Sequence, residues 1–186
     1  SNVLIIGGGC AGVSVASRIN SLKSSLSISI IEPSEKSLYQ AAWTLVGAGA
    51  YNVENTIKPM ADIMPSYVNW IKDFAEEFAP ESNSVKTKNG NYTYDYLVVC
   101  PGLKLNYDGV VGLKGNLGKN NVCTNYSAEM ATYTWDCLKN LDGGNLLFTE
   151  PPMPIKCAGA PQKIAYLAAD HLKKKGKLND SHLEFL

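Results

Sequence analysis

Ser1-Asn-Val-Leu-Ile-Ile-Gly-Gly-Gly-Cys-Ala-Gly12 decides how this chain reads. Val3–Ile6 is a wholly apolar run, the pattern of a strand buried on both faces. It leads into Gly7-x-Gly9-x-x-Gly12, and the small residues that follow predict a helix through Ala16 to Asn20. Each glycine has a separate task. Gly7 makes the tight turn, Gly9 lets a pyrophosphate approach the backbone, and Gly12 lets helix pack close on strand. The phosphates would rest on the free N–H groups and positive end of the helix. A second apolar run, Ile28–Ile31, ends at Glu32, twenty residues beyond Gly12. A carboxylate there suits a bidentate hydrogen bond to ribose hydroxyls and disfavours a 2′-phosphate. The glycines alone would fit any flexible loop; strand, turn, helix and acid in this order predict a dinucleotide site.

Bulk properties exclude other classes. The 186 residues, 45% hydrophobic, suffice for one domain or part of two. A formal net charge of +0 gives no reason to expect nucleic-acid binding. No apolar run approaches the ~20 residues of a membrane span. The first strand begins at once, so a targeting segment is expected to have been removed, or the chain to be a fragment. Cys10, Cys100, Cys123, Cys137 and Cys157 show no CxxC and no zinc spacing. Their odd number predicts reduced thiols, one or two of them redox-active.

Further along, Leu38–Ala50 is apolar with small residues, and reads either as packing near a planar ligand or as a short buried helix. Pro59 to Pro65 predicts a short helix bounded by prolines. Val68–Phe78 reads as one strand. Val85–Lys88 and Tyr92–Tyr94 flank Asn89-Gly90, a hairpin signal. Tyr96–Cys100 reads as another buried strand closed by Pro101-Gly102. Ser127 is placed to cap a helix through Leu141, with Met130, Thr134, Cys137 and Leu141 as its inner stripe. After Gly143-Gly144, a strand over Asn145–Thr149, a helix with Ile164, Leu167, Ala168 and Leu172 as its apolar face and Lys173-Lys-Lys-Gly176 as its solvated basic end, and a strand over His182–Leu186 are predicted.

The segment Ile155-Lys-Cys-Ala-Gly-Ala-Pro-Gln-Lys163 carries the second chemical signal. A cysteine lies just before a helix start with lysines on either side. Helix N-terminal amides and cations favour thiolate, the reactive form. An ordinary loop cysteine is the plainer alternative.

Together, Gly7-Gly-Gly-Cys-Ala-Gly12, Ile31-Glu-Pro-Ser-Glu35, Tyr39-Gln40, Trp43-Thr-Leu-Val-Gly-Ala-Gly49 and Lys156-Cys-Ala-Gly-Ala-Pro-Gln-Lys163 resemble the sulfide:quinone oxidoreductases, particularly the mitochondrial type. The resemblance implies an α/β fold: a Rossmann-like FAD-binding domain with an inserted antiparallel meander over residues 1–143, and the truncated start of a second dinucleotide-binding domain over residues 144–186. It implies FAD, with its pyrophosphate over Gly7, Gly9, Cys10 and Ala11, and Gly12 counted among the cofactor-binding residues of the same loop. Glu32 would hold the adenosine ribose, Gln40 matches a cofactor-contacting position near the glycine loop, and Ala75 matches a backbone contact to adenine. Cys157 matches the family cysteine beside the flavin.

In the family mechanism hydrogen sulfide attacks a bridge between two active-site cysteines, and one keeps the extra sulfur as a persulfide. The other, matching Cys157, passes electrons to the flavin. Ubiquinone receives two electrons, and the persulfide sulfur goes to a small acceptor. The family's second essential cysteine, and the part expected to meet the mitochondrial inner membrane, match nothing within these residues. Cys123 lies near an extra cysteine of bacterial-type members, yet reads as structural, as do Cys100 and Cys137. The alternatives are an NADH:quinone oxidoreductase of the same architecture and an inactive FAD-binding module. No second GxGxxG follows Asn145–Thr149 to receive NADH.

Overall fold

The structure is a computed structural model describing residues 1–186. In chain order its elements are β1 (Asn2–Ile6), α1 (Cys10–Leu22), β2 (Ser27–Ile31), β3 (Lys36–Leu38), α2 (Trp43–Gly47), β4 (Ile57–Pro59), α3 (Met60–Ile63), β5 (Val68–Ile71), β6 (Ala75–Ala79), β7 (Ser84–Thr87), β8 (Asn91–Thr93), β9 (Tyr96–Val99), α4 (Leu113–Asn116), α5 (Ala128–Asn140), β10 (Gly144–Phe148), α6 (Gly159–Lys174) and β11 (Ser181–Phe185). They fall into two compact units: Ser1–Leu38 with Ile57–Lys104, and Tyr39–Thr56 with Leu105–Leu186. Position 143/144, expected from sequence to separate two domains, lies inside the second unit.

The first unit is built on a parallel sheet of order β5-β2-β1-β9. Successive strand residues point to opposite faces, and β1 uses both. Val3 and Ile5 pack with Ala16, Ile28 and Ile30 on the side that α1 covers. Leu4 and Ile6 pack with Ile31 and Val85 on the side that the β6-β7-β8 meander covers. This is why β1 is apolar throughout rather than alternating: each of its fully buried Ile and Leu side chains contributes about 1.5–3 kcal/mol. The result is a Rossmann-like α/β arrangement with an antiparallel meander. Strand β9 departs from expectation. It lies at the sheet edge, and Tyr96 and Val99 are exposed.

Val68–Phe78 also departs: it is two strands, β5 in the parallel sheet and β6 in the meander. Asp73 marks the break. The residue is 7% exposed, and its carboxylate accepts the Phe74 amide at 2.8 Å and the Asn89 amide at 3.0 Å. It thereby ties the strand break to the β7–β8 hairpin. That hairpin forms, but neither Asn89 nor Gly90 takes a positive φ. Instead Thr87 N–H donates to the Gly90 carbonyl at 2.8 Å, and the Gly90 amide donates to Thr87 Oγ1 at 3.1 Å.

Hydrogen bonding by Thr87, then by the Phe74 and Asn89 amides, holds the Asp73 carboxyl below its ordinary value against the opposing effect of burial. A depressed carboxylate stabilises the fold above its unfolded pKa, and this contribution is lost as pH falls through the folded value. Asp73→Asn should therefore melt below wild type at pH 7. The gap should close as thermal scans are carried below about pH 4, where the unfolded carboxylate protonates. A gap independent of pH would assign Asp73 a role in shape rather than charge.

In the second unit the strand–helix–strand segment forms as expected, with β10 and β11 parallel. Leu138, Leu146, Ile164, Ala168 and Leu172 make its main core, joined by Trp135, Phe148 and Leu183. Helix α5 therefore shares a core with β10 and α6. A smaller core joins Trp43 and Val46 of α2 to Ala131 of α5, and Trp43 Nε1 donates to Thr56 Oγ1 at 3.2 Å.

Three local expectations change here. Ser127 precedes α5 with extended dihedrals, but its side chain makes no capping bond. The buried stripe of α5 is Ala131, Thr134 and Leu138, because the helix faces both cores at once. Lys175, expected in a solvated basic end, donates to the carbonyls of Leu141 at 2.6 Å and Lys139 at 3.1 Å. It thereby completes the last turn of α5. No helix is long and apolar enough to cross a membrane.

Candidate functional site

The glycine loop of the first unit is a cradle whose shape excludes side chains at some positions and leaves room at another. Gly7 has φ +97° and donates to the Ile31 carbonyl at 2.9 Å. A Cβ on Gly7 would overlap the Cys100 carbonyl oxygen, and one on Gly12 would overlap the Gly7 carbonyl oxygen. Gly8 is constrained as well: its Cβ would come within 2.8 Å of the Glu32 side chain. Gly9 differs, since a Cβ there would meet no heavy atom within 4 Å. Open space therefore lies over Gly9, beside exposed Cys10 and Ala11 at the start of α1. No acidic residue occupies the first turn and no side chain caps it. The first amides and the positive end of the dipole thus remain available to an anion.

Glu32 closes one side of this cradle. Its Oε2 accepts the Gly8 amide at 2.8 Å and its Oε1 accepts the Ser34 amide at 2.7 Å. Each carboxylate oxygen keeps a further lone pair, so the pre-aimed group can still receive two ribose hydroxyls. The shape over Gly9, the uncapped helix start and the acceptor at Glu32 fit the adenosine diphosphate half of a dinucleotide. Ala75 begins β6, is half-buried, and packs against the Leu4–Ile6 face of the sheet. Cys100 contributes through its backbone, donating to the Ile6 carbonyl at 2.7 Å.

Gln40 and Cys157 belong to the second unit, where an open cleft gathers Gln40, Thr44, Asn125, Tyr126, Cys157 and Lys163. Gln40 opens a short 3-10 turn, Gln40–Ala42, that runs into α2. Asn125 Nδ2 donates to Thr44 Oγ1 at 2.8 Å, tying the two walls together. Cys157 is exposed, two residues before α6, with φ +57°. Lys163 Nζ lies 3.8 Å from its Sγ. The Cys157 carbonyl accepts the Ala160 amide at 2.9 Å and the Tyr126 hydroxyl at 3.3 Å. Burial, then the neighbouring Cys157 and Glu150, raise the Tyr126 hydroxyl above its ordinary pKa, so it stays a donor. Asn125 and Tyr126 carry no motif; chain folding alone brings them, with Thr44 of the Trp43–Gly49 stretch, beside a cysteine some thirty or more residues away in sequence.

The remaining thiols differ from Cys157. Cys100, Cys123 and Cys137 are half-buried rather than fully enclosed. Cys123 Sγ donates to the Asn121 carbonyl at 3.4 Å, and Cys137 Sγ to Asn121 Oδ1 at 3.7 Å. Burial first, then hydrogen bonding and charge proximity of Cys137, push the Cys123 thiol up to about 12. A thiol so placed is neutral near pH 7 and a poor nucleophile. Cys10 is exposed at the start of α1.

A two-faced parallel sheet, a glycine cradle opening a helix and an acid at the next strand end define a dinucleotide-binding flavoprotein-type domain. The chain belongs to the pyridine nucleotide-disulphide oxidoreductase family, which it matches over residues 1–133. It is 45% identical over 188 residues to a mitochondrial sulfide:quinone oxidoreductase of Dictyostelium discoideum, covering 100% of this chain and 42% of that protein. With the mitochondrial sulfide:quinone oxidoreductase of Mus musculus it is 38% identical, over 98% of this chain and 41% of the relative. The X-ray structure of the sulfide:quinone oxidoreductase of Aquifex aeolicus superposes with a TM-score of 0.80 at 27% identity, over 100% of this chain and 42% of that one. The chain thus spans about two fifths of the length of the relatives it matches.

Proposed function

We propose that this chain is the flavin- and thiol-bearing part of a sulfide:quinone oxidoreductase of the mitochondrial type, acting at the inner membrane. FAD is the proposed cofactor. Gly7, Gly9, Cys10 and Ala11 seat its pyrophosphate, Gly12 completes the binding loop by close packing, Glu32 holds its ribose, and Ala75 its adenine through the backbone. Gln40 is proposed as a further cofactor contact on the strength of the resemblance. Residues 144–186 are read as the start of a second dinucleotide-type domain. Hydrogen sulfide is the electron donor, ubiquinone the acceptor, and a small sulfur acceptor takes the oxidised sulfur.

The observation that carries this reading is Cys157, an exposed thiol in a cleft with an ammonium 3.8 Å from its sulfur. Lys163 is placed to attract an anion such as hydrosulfide and to hold negative charge on sulfur. The cleft leaves the thiol open to a small substrate. When bound, FAD supplies the two-electron step that joins thiol chemistry to quinone reduction; the protein supplies orientation and charge.

Replacing Glu32 by alanine removes the acceptor for both ribose hydroxyls and should weaken flavin binding about tenfold or more, the scale of a lost hydrogen bond to a charged group. Titration of the apoprotein with FAD, followed by flavin fluorescence, measures this. Flavin released on denaturation should be free, since no covalent attachment is proposed. A folded preparation that is colourless and takes up no FAD would sink the cofactor assignment.

A further inference from the structure

We propose that Tyr126 is the positioning residue for Cys157, a role that rests on the reading of Cys157 as the reactive thiol. Cys157 holds φ +57°, a left-handed conformation that side-chain-bearing residues adopt only when their surroundings enforce it. Its carbonyl receives two donors. The Ala160 amide at 2.9 Å is local, part of the turn entering α6. The Tyr126 hydroxyl at 3.3 Å is the tertiary one, from thirty-one residues earlier in the chain.

Tyr126 is itself fixed in its loop. Its amide donates to Thr124 Oγ1 at 3.2 Å, and its neighbour Asn125 is bonded to Thr44. The loop therefore anchors the Cys157 backbone from across the cleft. With the carbonyl held from that side, the thiol is held toward Lys163, 3.8 Å from its Nζ. The Tyr126 hydroxyl bonds the Cys157 backbone carbonyl, so it acts through Cys157.

The test reads the local charge at sulfur. Iodoacetate and iodoacetamide alkylate a thiolate by the same displacement: an S–C bond forms, iodide leaves, and the thiol proton goes to solvent. Only iodoacetate carries a negative charge for Lys163 to attract. In the 186-residue chain, the ratio of the two alkylation rates at Cys157 is followed by mass spectrometry of its peptide. Exposed Cys10 serves as an internal reference.

Lys163→Gln should lower the iodoacetate preference about twofold to fivefold, the range for an exposed charge pair. Tyr126→Phe, which keeps the ring and deletes the hydroxyl, should lower it by a similar factor at unchanged Cys10 ratio. In the Lys163→Gln background Tyr126→Phe should produce no further change, because the two act on one geometry. General loosening of the loop would speed both reagents together and leave the ratio intact. An unchanged ratio in Tyr126→Phe, or an effect that persists without Lys163, would overturn the proposal. The measurement needs no sulfide turnover, so a protein that fails to oxidise sulfide refutes the functional reading separately.

Discussion

Cys157→Ser, introduced into a full-length protein containing this segment, should keep its flavin and lose sulfide-dependent flavin reduction. The proposed pyrophosphate and ribose contacts lie on the glycine loop and Glu32, so the yellow colour and the flavin-to-protein ratio should not change. Serine keeps the size of the side chain but neither forms a sulfur bridge nor ionises near neutral pH. The rate should fall on the order of a thousandfold or more, the scale on which loss of a catalytic nucleophile is felt. Stopped-flow bleaching of the flavin by sulfide reads this directly. Bleaching at the wild-type rate would remove Cys157 from the mechanism, and efficient bleaching by NADH would favour an NADH:quinone oxidoreductase. Cys100→Ser and Cys137→Ser should instead affect melting more than turnover, because both thiols are half-buried and lie outside the proposed reactive cleft.

The second large effect separates two glycines of one loop. Gly7→Ala should unfold or severely weaken the first unit. The alanine must hold φ +97° and push its Cβ into the Cys100 carbonyl, a combined cost of about 3 kcal/mol or more. For a unit of this size that lowers Tm by about 10 °C or more. Gly9→Ala should do the opposite. Its φ of −71° suits any residue and its Cβ meets nothing within 4 Å, so stability should change by less than about 1 kcal/mol. The new methyl group enters the space proposed for the pyrophosphate, and flavin affinity should drop. Thermal melts with and without FAD distinguish the two. Equal loss of stability in both variants would contradict the geometry of the cradle, and full flavin affinity in Gly9→Ala would move the pyrophosphate elsewhere.

Local chemistry made part of this protein readable in one dimension. The run Val3–Ile6, the glycine spacing and Glu32 read directly as strand, turn, helix and acid, because each depends on neighbours a few residues away or on a short parallel pairing. The strand–helix–strand segment near the end was legible for the same reason: its apolar periods change where the elements change. What the sequence could not settle depends on contacts between distant segments. Whether Val68–Phe78 is one strand or two is decided by Asp73 binding a hairpin amide sixteen residues away. The inward face of α5 is set by two cores that meet the helix along one stripe, one at Ala131 and one at Leu138, so its own periodicity misplaces it by about a residue. The grouping of residues 39–56 with 105–186 follows from Trp43 and Val46 packing on Ala131, which no local pattern encodes. The cleft is the strongest case. Cys157 and Lys163 were visible as a pair, six residues apart. Tyr126, the donor to the Cys157 carbonyl, was not, because a hydrogen bond between loops thirty-one residues apart exists only once tertiary packing has fixed both.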